Sequence, residues 1–258
     1  MSGATLDEHR KRSGRDDIHS RRSDGVSSIA FAGAKGGVGT TTIAVEFASM
    51  AVGGGKSAVF VDLAPLGDSH YRLDVPVPPG AHTIEDLLPL ADELNERVLE
   101  CALLVSPCGL LLLPAARREL ELSDLPRLIR SLAPFFDIVV VDAGRMPGTI
   151  AAAFASSDSH AVVTTPDVMG VGGAGKLFEE LDRTGFERSR LSVLLNRSLG
   201  RADLLSVRDV ESYLETRVAA VLPEESCVCR SAGDRGHFVH PGPSGLAVAL
   251  RRLYRLLV

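Results

Sequence analysis

Apolar positions along this chain fall into two patterns. Short, nearly continuous apolar runs occupy residues 28–32, 58–62, 109–114, 137–142, 161–165, 191–196 and 218–222. Runs of that length with no polar face predict strands buried on both sides. Between them, apolar residues return every three or four positions, predicting helices over about 41–50, 123–132, 174–183 and 206–214, and a last helix from about 244. Thr83 with Asp86 three residues on reads as the capped start of a short helix reaching Leu88. Buried strands separated by helices require an α/β fold: a doubly wound, mostly parallel sheet with helices on both faces. Residues 1–26 offer almost nothing to bury. They mix Arg10, Lys11, Arg12 and Arg15 with Asp7, Glu8, Asp16 and Asp17, which predicts a disordered charged tail ahead of one domain spanning 27–258.

Composition narrows this only slightly. A chain of 258 residues, 45% of them hydrophobic, is long enough for one domain with a full core. The net charge of −5 argues against non-specific DNA binding, because phosphate contacts need a basic face. No apolar stretch near the start resembles a secretory leader, so a cytoplasmic, reducing compartment is expected. Cys227 and Cys229 form a lone C-x-C without a second ligand pair, and free thiols are expected for them and for Cys101 and Cys108. The apolar stretch over 101–116 is broken by Ser106, Pro107 and Gly109 and is too short to span a bilayer.

The candidate chemistry lies between the first strand and the first helix. There the chain reads Lys35-Gly-Gly-Val-Gly-Thr-Thr-Thr42. Gly36, Gly37 and Gly39 let the backbone curl so that successive N–H groups point inward, where they join the positive end of the helix dipole to form an anion site. Thr41 is placed to bind Mg²⁺ through its hydroxyl, and Thr42 to donate to a phosphate oxygen. Two other readings compete: a glycine-rich turn that binds nothing, and a dinucleotide-binding turn, which wants a small residue where Thr42 stands. A standard phosphate loop carries lysine where this chain has Thr40, and Lys35 lies near the loop's start instead.

The stretch from Gly33 through Ala44 resembles the deviant Walker A loop of the ParA/MinD superfamily, and with Thr40 in the lysine slot it looks most like the TadZ/CpaE pilus-assembly group. The resemblance runs from about Ser27 to the end of the chain. Asp62 falls on the family's switch I strand, the Leu112-Leu-Pro-Ala-Ala-Arg117 segment resembles the family's "LLPAPR" stretch, and 137–144 resembles its Walker B and switch II strand. Family members usually carry an N-terminal receiver-like domain, where this sequence has the short tail. The resemblance implies that Lys35, Gly36, Gly37, Val38, Gly39, Thr40, Thr41, Thr42 and Asn196 bind ATP or ADP. Within that set, Lys35 reaches the phosphates of a partner copy and Asn196 reads the adenine edge. Thr41 and Asp142 hold Mg²⁺. It further implies a homodimer, contact with pilus-assembly machinery such as a secretion ATPase, and a cytoplasmic protein that can meet the inner face of the membrane. DNA is not a favoured partner.

Hydrolysing relatives place a second aspartate two residues after the first at the end of switch I, to position the attacking water. Here Ala64 stands in that place, and Asp68 could substitute only if the loop folds back. A lysine–phosphate bond contributes roughly 1.5–3 kcal/mol, about 10–150-fold in affinity, so the remaining cradle can still bind. Charge stabilisation at the transferring phosphoryl contributes roughly 10³–10⁵ in rate, so turnover is expected to be very slow or absent. The expectation is therefore a nucleotide-binding spatial or assembly regulator of a Tad/Flp pilus. Its rivals are an active ParA/MinD-type ATPase in DNA partition or septum placement, and a nucleotide-free scaffold that keeps the fold.

Two further features stand outside the loop. Residues 170–176 formally fit a second phosphate loop, but Leu177 replaces the magnesium-binding hydroxyl, and a flexible loop entering a helix is expected there. In the last segment, Leu246, Leu250, Leu253 and Leu257 form one stripe with Arg251, Arg252 and Arg255 off it. Packing on the sheet is the favoured reading for that stripe, with membrane docking as the rival.

Overall fold

The computed structural model describes residues 28–64, 67–117, 120, 122–233 and 238–258. The tail expected over 1–26 lies outside them. The strands are β1 (Ser28–Gly33), β2 (Ala58–Asp62), β3 (Leu104–Val105), β4 (Leu111–Leu113), β5 (Ile138–Asp142), β6 (Ser159–Thr164), β7 (Leu191–Ser198) and β8 (Val218–Pro223). They form one sheet in the order β3-β4-β2-β5-β1-β6-β7-β8. Every pairing is parallel except the short β3–β4 edge. The expected doubly wound, mostly parallel architecture is what the chain adopts.

The helices are α1 (Thr40–Gly53), α2 (Ser69–Arg72), α3 (Ile84–Leu87), α4 (Glu96–Ala102), α5 (Leu125–Leu132), α6 (Pro147–Phe154), α7 (Val168–Arg183), α8 (Val207–Leu214), α9 (Ser226–Gly233) and α10 (Gly245–Leu257). Alternation along β1 explains how they divide. Ile29 and Phe31 point into a core shared with α1 and α10. Ala30 and Ala32 point the other way, into a core built with α3 to α8. Fully buried Phe31, Phe47, Phe60, Phe154 and Phe178 anchor the two layers, each worth about 1.5–3 kcal/mol of burial.

β1 lies between β5 and β6. The chain therefore winds away from β1 in both directions, which leaves a crevice at the carboxyl ends of these strands. The loop of interest leaves β1 into that crevice.

Several boundaries differ from expectation. Helix α7 starts at Val168, six residues before its expected start, so 170–176 is helix and not a loop. Gly170, Gly173 and Gly175 serve close packing: a Cβ at Gly173 would stand 2.6 Å from the Ala34 carbonyl oxygen. β3, α2, α4, α6 and α9 were not foreseen, being short or lacking a clean apolar period. The capped start at Thr83 is present, with Asp86 Oδ2 accepting from the Thr83 N–H at 2.8 Å. The terminal stripe packs inward: Leu246, Leu250, Leu253 and Leu257 are buried, and Tyr254 stacks on Phe47 of α1 at 5.0 Å. Among the described residues, no helix is long and apolar enough to cross a membrane.

Candidate phosphate-binding site

The loop between β1 and α1 is shaped by backbone geometry that few residues tolerate. Gly39 caps α1 in the left-handed region, φ 93° and ψ 22°. A Cβ there would be strained by that φ and would also stand 2.5 Å from Nδ2 of Asn196. Helix α1 has no side-chain cap and no acidic residue in its first turn, so its first N–H groups and its positive dipole end face the crevice. The loop's base is tied to the sheet. The Gly33 N–H donates to the Gly144 carbonyl at 2.7 Å, and the Ala34 N–H to the Val163 carbonyl at 2.9 Å.

Asn196, on β7, donates from Nδ2 to the Val38 carbonyl at 2.7 Å and is buried. It thus buttresses the loop as well as lining a cleft of about 230 Å³ beside Gly39 and Thr42. Glu224, Glu225, Arg197 and Cys229 line the same cleft. Burial pushes the Cys229 thiol up, away from the reactive thiolate. The four cysteines are free thiols, as expected. Lys35 reaches neither the cleft nor the cradle in this structure, since its Nζ lies 3.8 Å from Asp167 Oδ2 of its own chain. Asp167 caps α7, accepting from the Gly170 N–H at 2.8 Å. Thr40 is also turned away: a Cβ on Gly33 would meet its Oγ1 at 2.6 Å, so the hydroxyl lies against the base of the loop.

Asp62 and Asp142 end adjacent strands in register, and both are buried. Thr41 donates its hydroxyl to Asp142 Oδ2 at 2.5 Å, and the Gly144 N–H donates to Oδ1 at 3.0 Å. Asp62 accepts from the Ala64 N–H at 3.0 Å and the Ser69 hydroxyl at 2.5 Å. Burial, reinforced by the Asp142 charge, pushes Asp62 up to about 7. Burial also raises Asp142. The Thr41 and Gly144 bonds oppose that rise and the Asp68 charge adds to it. Asp68 itself is exposed at the start of α2, and its charge acts on Asp142.

Two buried carboxylates that resist ionisation are a suitable donor set for a cation. Mg²⁺ typically takes one or two carboxylates together with substrate phosphates and waters. Thr41, Asp142 and Asp62 would hold such an ion beside the cradle, where it would neutralise phosphate charge. Among the described residues there is no cluster of three or more His, Cys, Asp or Glu side chains placed to hold a metal.

Of the residues that the sequence singles out, Gly39, Thr42 and Asn196 line the cleft, Thr41 is bonded to Asp142, which pairs with Asp62, and the Lys35 side chain is turned to Asp167. Sequence reading missed Ser69 as the partner of Asp62, Asp167 as the partner of Lys35, and Arg145 beside the loop. None of these carries a local sequence signal, because each acts across a loop or between strands.

Comparison with known proteins matches the fold that carries this site. The model of the AAA domain family (AAA_31) matches residues 26–192. The septum site-determining protein MinD of Thermotoga maritima is 25% identical over 219 residues, covering 76% of this chain and 74% of that protein. A ParA family ATPase from Chlorobium tepidum superposes with a TM-score of 0.77 at 22% identity, over 89% of this chain and 98% of that one. MinD from Pyrococcus horikoshii, solved with Mg-ADP, superposes with a TM-score of 0.70 at 22% identity, over 88% and 94%.

Proposed function

We propose, from the premise that the chain belongs to the AAA domain family within the ParA/MinD superfamily, that it binds ATP or ADP with Mg²⁺ and works as a binding-driven spatial or assembly switch. One observation carries the reading. A glycine cradle at a helix start stands beside two buried carboxylates, one of which is bonded to the loop's own Thr41. An anion site beside a cation site fits a magnesium–polyphosphate ligand. Gly36, Gly37, Val38, Gly39, Thr40 and Thr42 line the phosphates in this proposal, and Asn196 lines the nucleoside cleft. The Mg-ADP bound to the Pyrococcus MinD supports the choice of ligand.

Weak hydrolysis is the second part of the proposal. Thr40 offers no charge, and Ala64 offers no carboxylate at the end of switch I. Resemblance to TadZ/CpaE supports a role in placing or assembling a Tad/Flp pilus, with a second copy of this chain and a secretion ATPase as partners. One observation favours the rival reading of an active partition or septum-placing ATPase: Asp68 lies near enough to Asp142 to raise its proton affinity and could orient a water.

Calorimetry with ATP·Mg²⁺ and ADP·Mg²⁺ tests the ligand, and saturable binding of both is expected. Absence of heat at high protein concentration would leave a scaffold that has kept only the fold. Steady-state phosphate release tests the switch. Turnover within about tenfold of ordinary kinase rates of 1–100 s⁻¹ would sink the slow-hydrolysis claim.

A further inference from the structure

The cradle lacks a cation of its own. Thr40 replaces the usual lysine and folds its hydroxyl back on Gly33, and Lys35 is drawn to Asp167. Among the described residues, Arg197 and Arg230 line the cleft beside Gly39 and Thr42, with Arg197 3.9 Å from Glu224, and a further positive group stands over the start of the loop. Arg145 follows Asp142-Ala143-Gly144 on the segment between β5 and α6, and a Cβ on Gly36 would lie 3.9 Å from its Nη1. Arg145 is exposed and makes no hydrogen bond or ion pair among the described residues. The backbone that carries it is fixed. The Gly144 carbonyl accepts from the Gly33 N–H at 2.7 Å, and the Gly144 N–H donates to Asp142 Oδ1 at 3.0 Å. Gly144 turns the chain there at φ 63°, so the residue after it is aimed back over the loop.

We infer that Arg145 supplies, within its own chain, the positive charge that Thr40 cannot, by binding the outer phosphates of the nucleotide held in the loop. A guanidinium suits this role because it stays ionised and offers paired donors to phosphate oxygens. That Arg145 is unpaired among the described residues fits this role, since its partner is the ligand. The inference rests on the proposed nucleotide-binding function and adds a residue outside the glycine loop, one that no feature of the loop sequence marks.

The test is calorimetry of the full chain with ATP·Mg²⁺ for wild type, Arg145→Ala and Arg145→Lys. It is paired with displacement of bound ATP by inorganic tripolyphosphate, which has no nucleoside. Arg145→Ala is expected to weaken ATP about 10- to 100-fold, the range of a charge-assisted bond. Tripolyphosphate should weaken by a similar factor, with lysine restoring part of both. Because Arg145 is exposed and makes no hydrogen bond or ion pair among the described residues, the alanine variant should melt as wild type does. Unchanged ATP affinity overturns the inference, as does a loss that tripolyphosphate does not share. A loss seen only at protein concentrations where the chain dimerises also overturns it, since that would assign Arg145 to a partner's phosphates. A wild type that binds no ATP fails the underlying nucleotide reading instead, which separates the two failures.

Discussion

At the scale of single residues, Asp62 carries the clearest consequence. An unfolded carboxylate ionises near pH 4, whereas burial and the Asp142 charge hold Asp62 up to about 7. The folded chain therefore keeps a proton that the unfolded chain has lost. This group's stabilising contribution is complete below the unfolded value and is lost as pH rises through about 7. Asp62→Asn can keep the bond from the Ala64 N–H and donate to the Ser69 hydroxyl, so it removes the charge and retains the contacts. Urea midpoints without metal should fall with pH between about 4 and 7 in wild type and fall less steeply in the variant, where Asp142 remains raised by burial. At about pH 8 the variant should be at least as stable as wild type. A variant with the wild-type slope would place the titration elsewhere. Mg²⁺ with nucleotide should stabilise wild type increasingly over the same window, because the ion favours the charged pair.

At the scale of elements, helix α1 does more than present its first turn to an anion. Glu46, within it, is fully buried. It accepts from the Val239 N–H at 2.7 Å and the His240 N–H at 3.0 Å. His240 Nδ1 lies 2.9 Å from its Oε2, and Arg72 Nη2 lies 3.5 Å from Oε1. One carboxylate thus ties α1 to the end of α2, which follows Asp62 and Asp68, and to the segment that enters α10. Glu46→Gln turns an amide donor toward backbone donors and should cost about 1–3 kcal/mol. Glu46→Ala leaves Arg72 with no anion in a largely buried setting and should cost about 3–5 kcal/mol. Chemical denaturation measures both, and a loss under about 0.5 kcal/mol for the alanine variant would show that this tie is not structural.

At the scale of the whole molecule, the crevice opens along the edge where β5, β6 and β7 end. The segments leaving them expose Met146, Val168, Met169, Leu199 and Leu204. Single exposed apolar residues are ordinary, but Val168 and Met169 directly follow Asp167, which pairs with the part-exposed Lys35, and this supports the proposed second copy on this face. Lys35→Ala should weaken nucleotide-dependent dimerisation, read by sedimentation with ATP, more than it weakens ATP binding, read by calorimetry. Equal losses would mean that Lys35 leaves Asp167 to serve its own chain's phosphates.

The sequence by itself determined the sheet class, the order of most of its strands along the chain and the cradle from Lys35 to Thr42. Those features are local: an unbroken β-branched run can be buried only as an inner strand, and closely spaced glycines at a strand-to-helix junction leave N–H groups facing outward. The pairing of Asp62 with Asp142, the bond from Thr41 to Asp142, the diversion of Lys35 to Asp167 and the station of Arg145 over Gly36 were decided by tertiary structure alone. They depend on strand order and on where a turn aims a side chain. Residues from 80 (Asp62 and Asp142) to 132 (Lys35 and Asp167) positions apart meet because parallel neighbours end at the same edge of the sheet. Helix α7 shows the same division. Its glycines at 170–176 look like a loop because glycine is a poor helix former, but the packing of its start on Ala34 outweighs that preference.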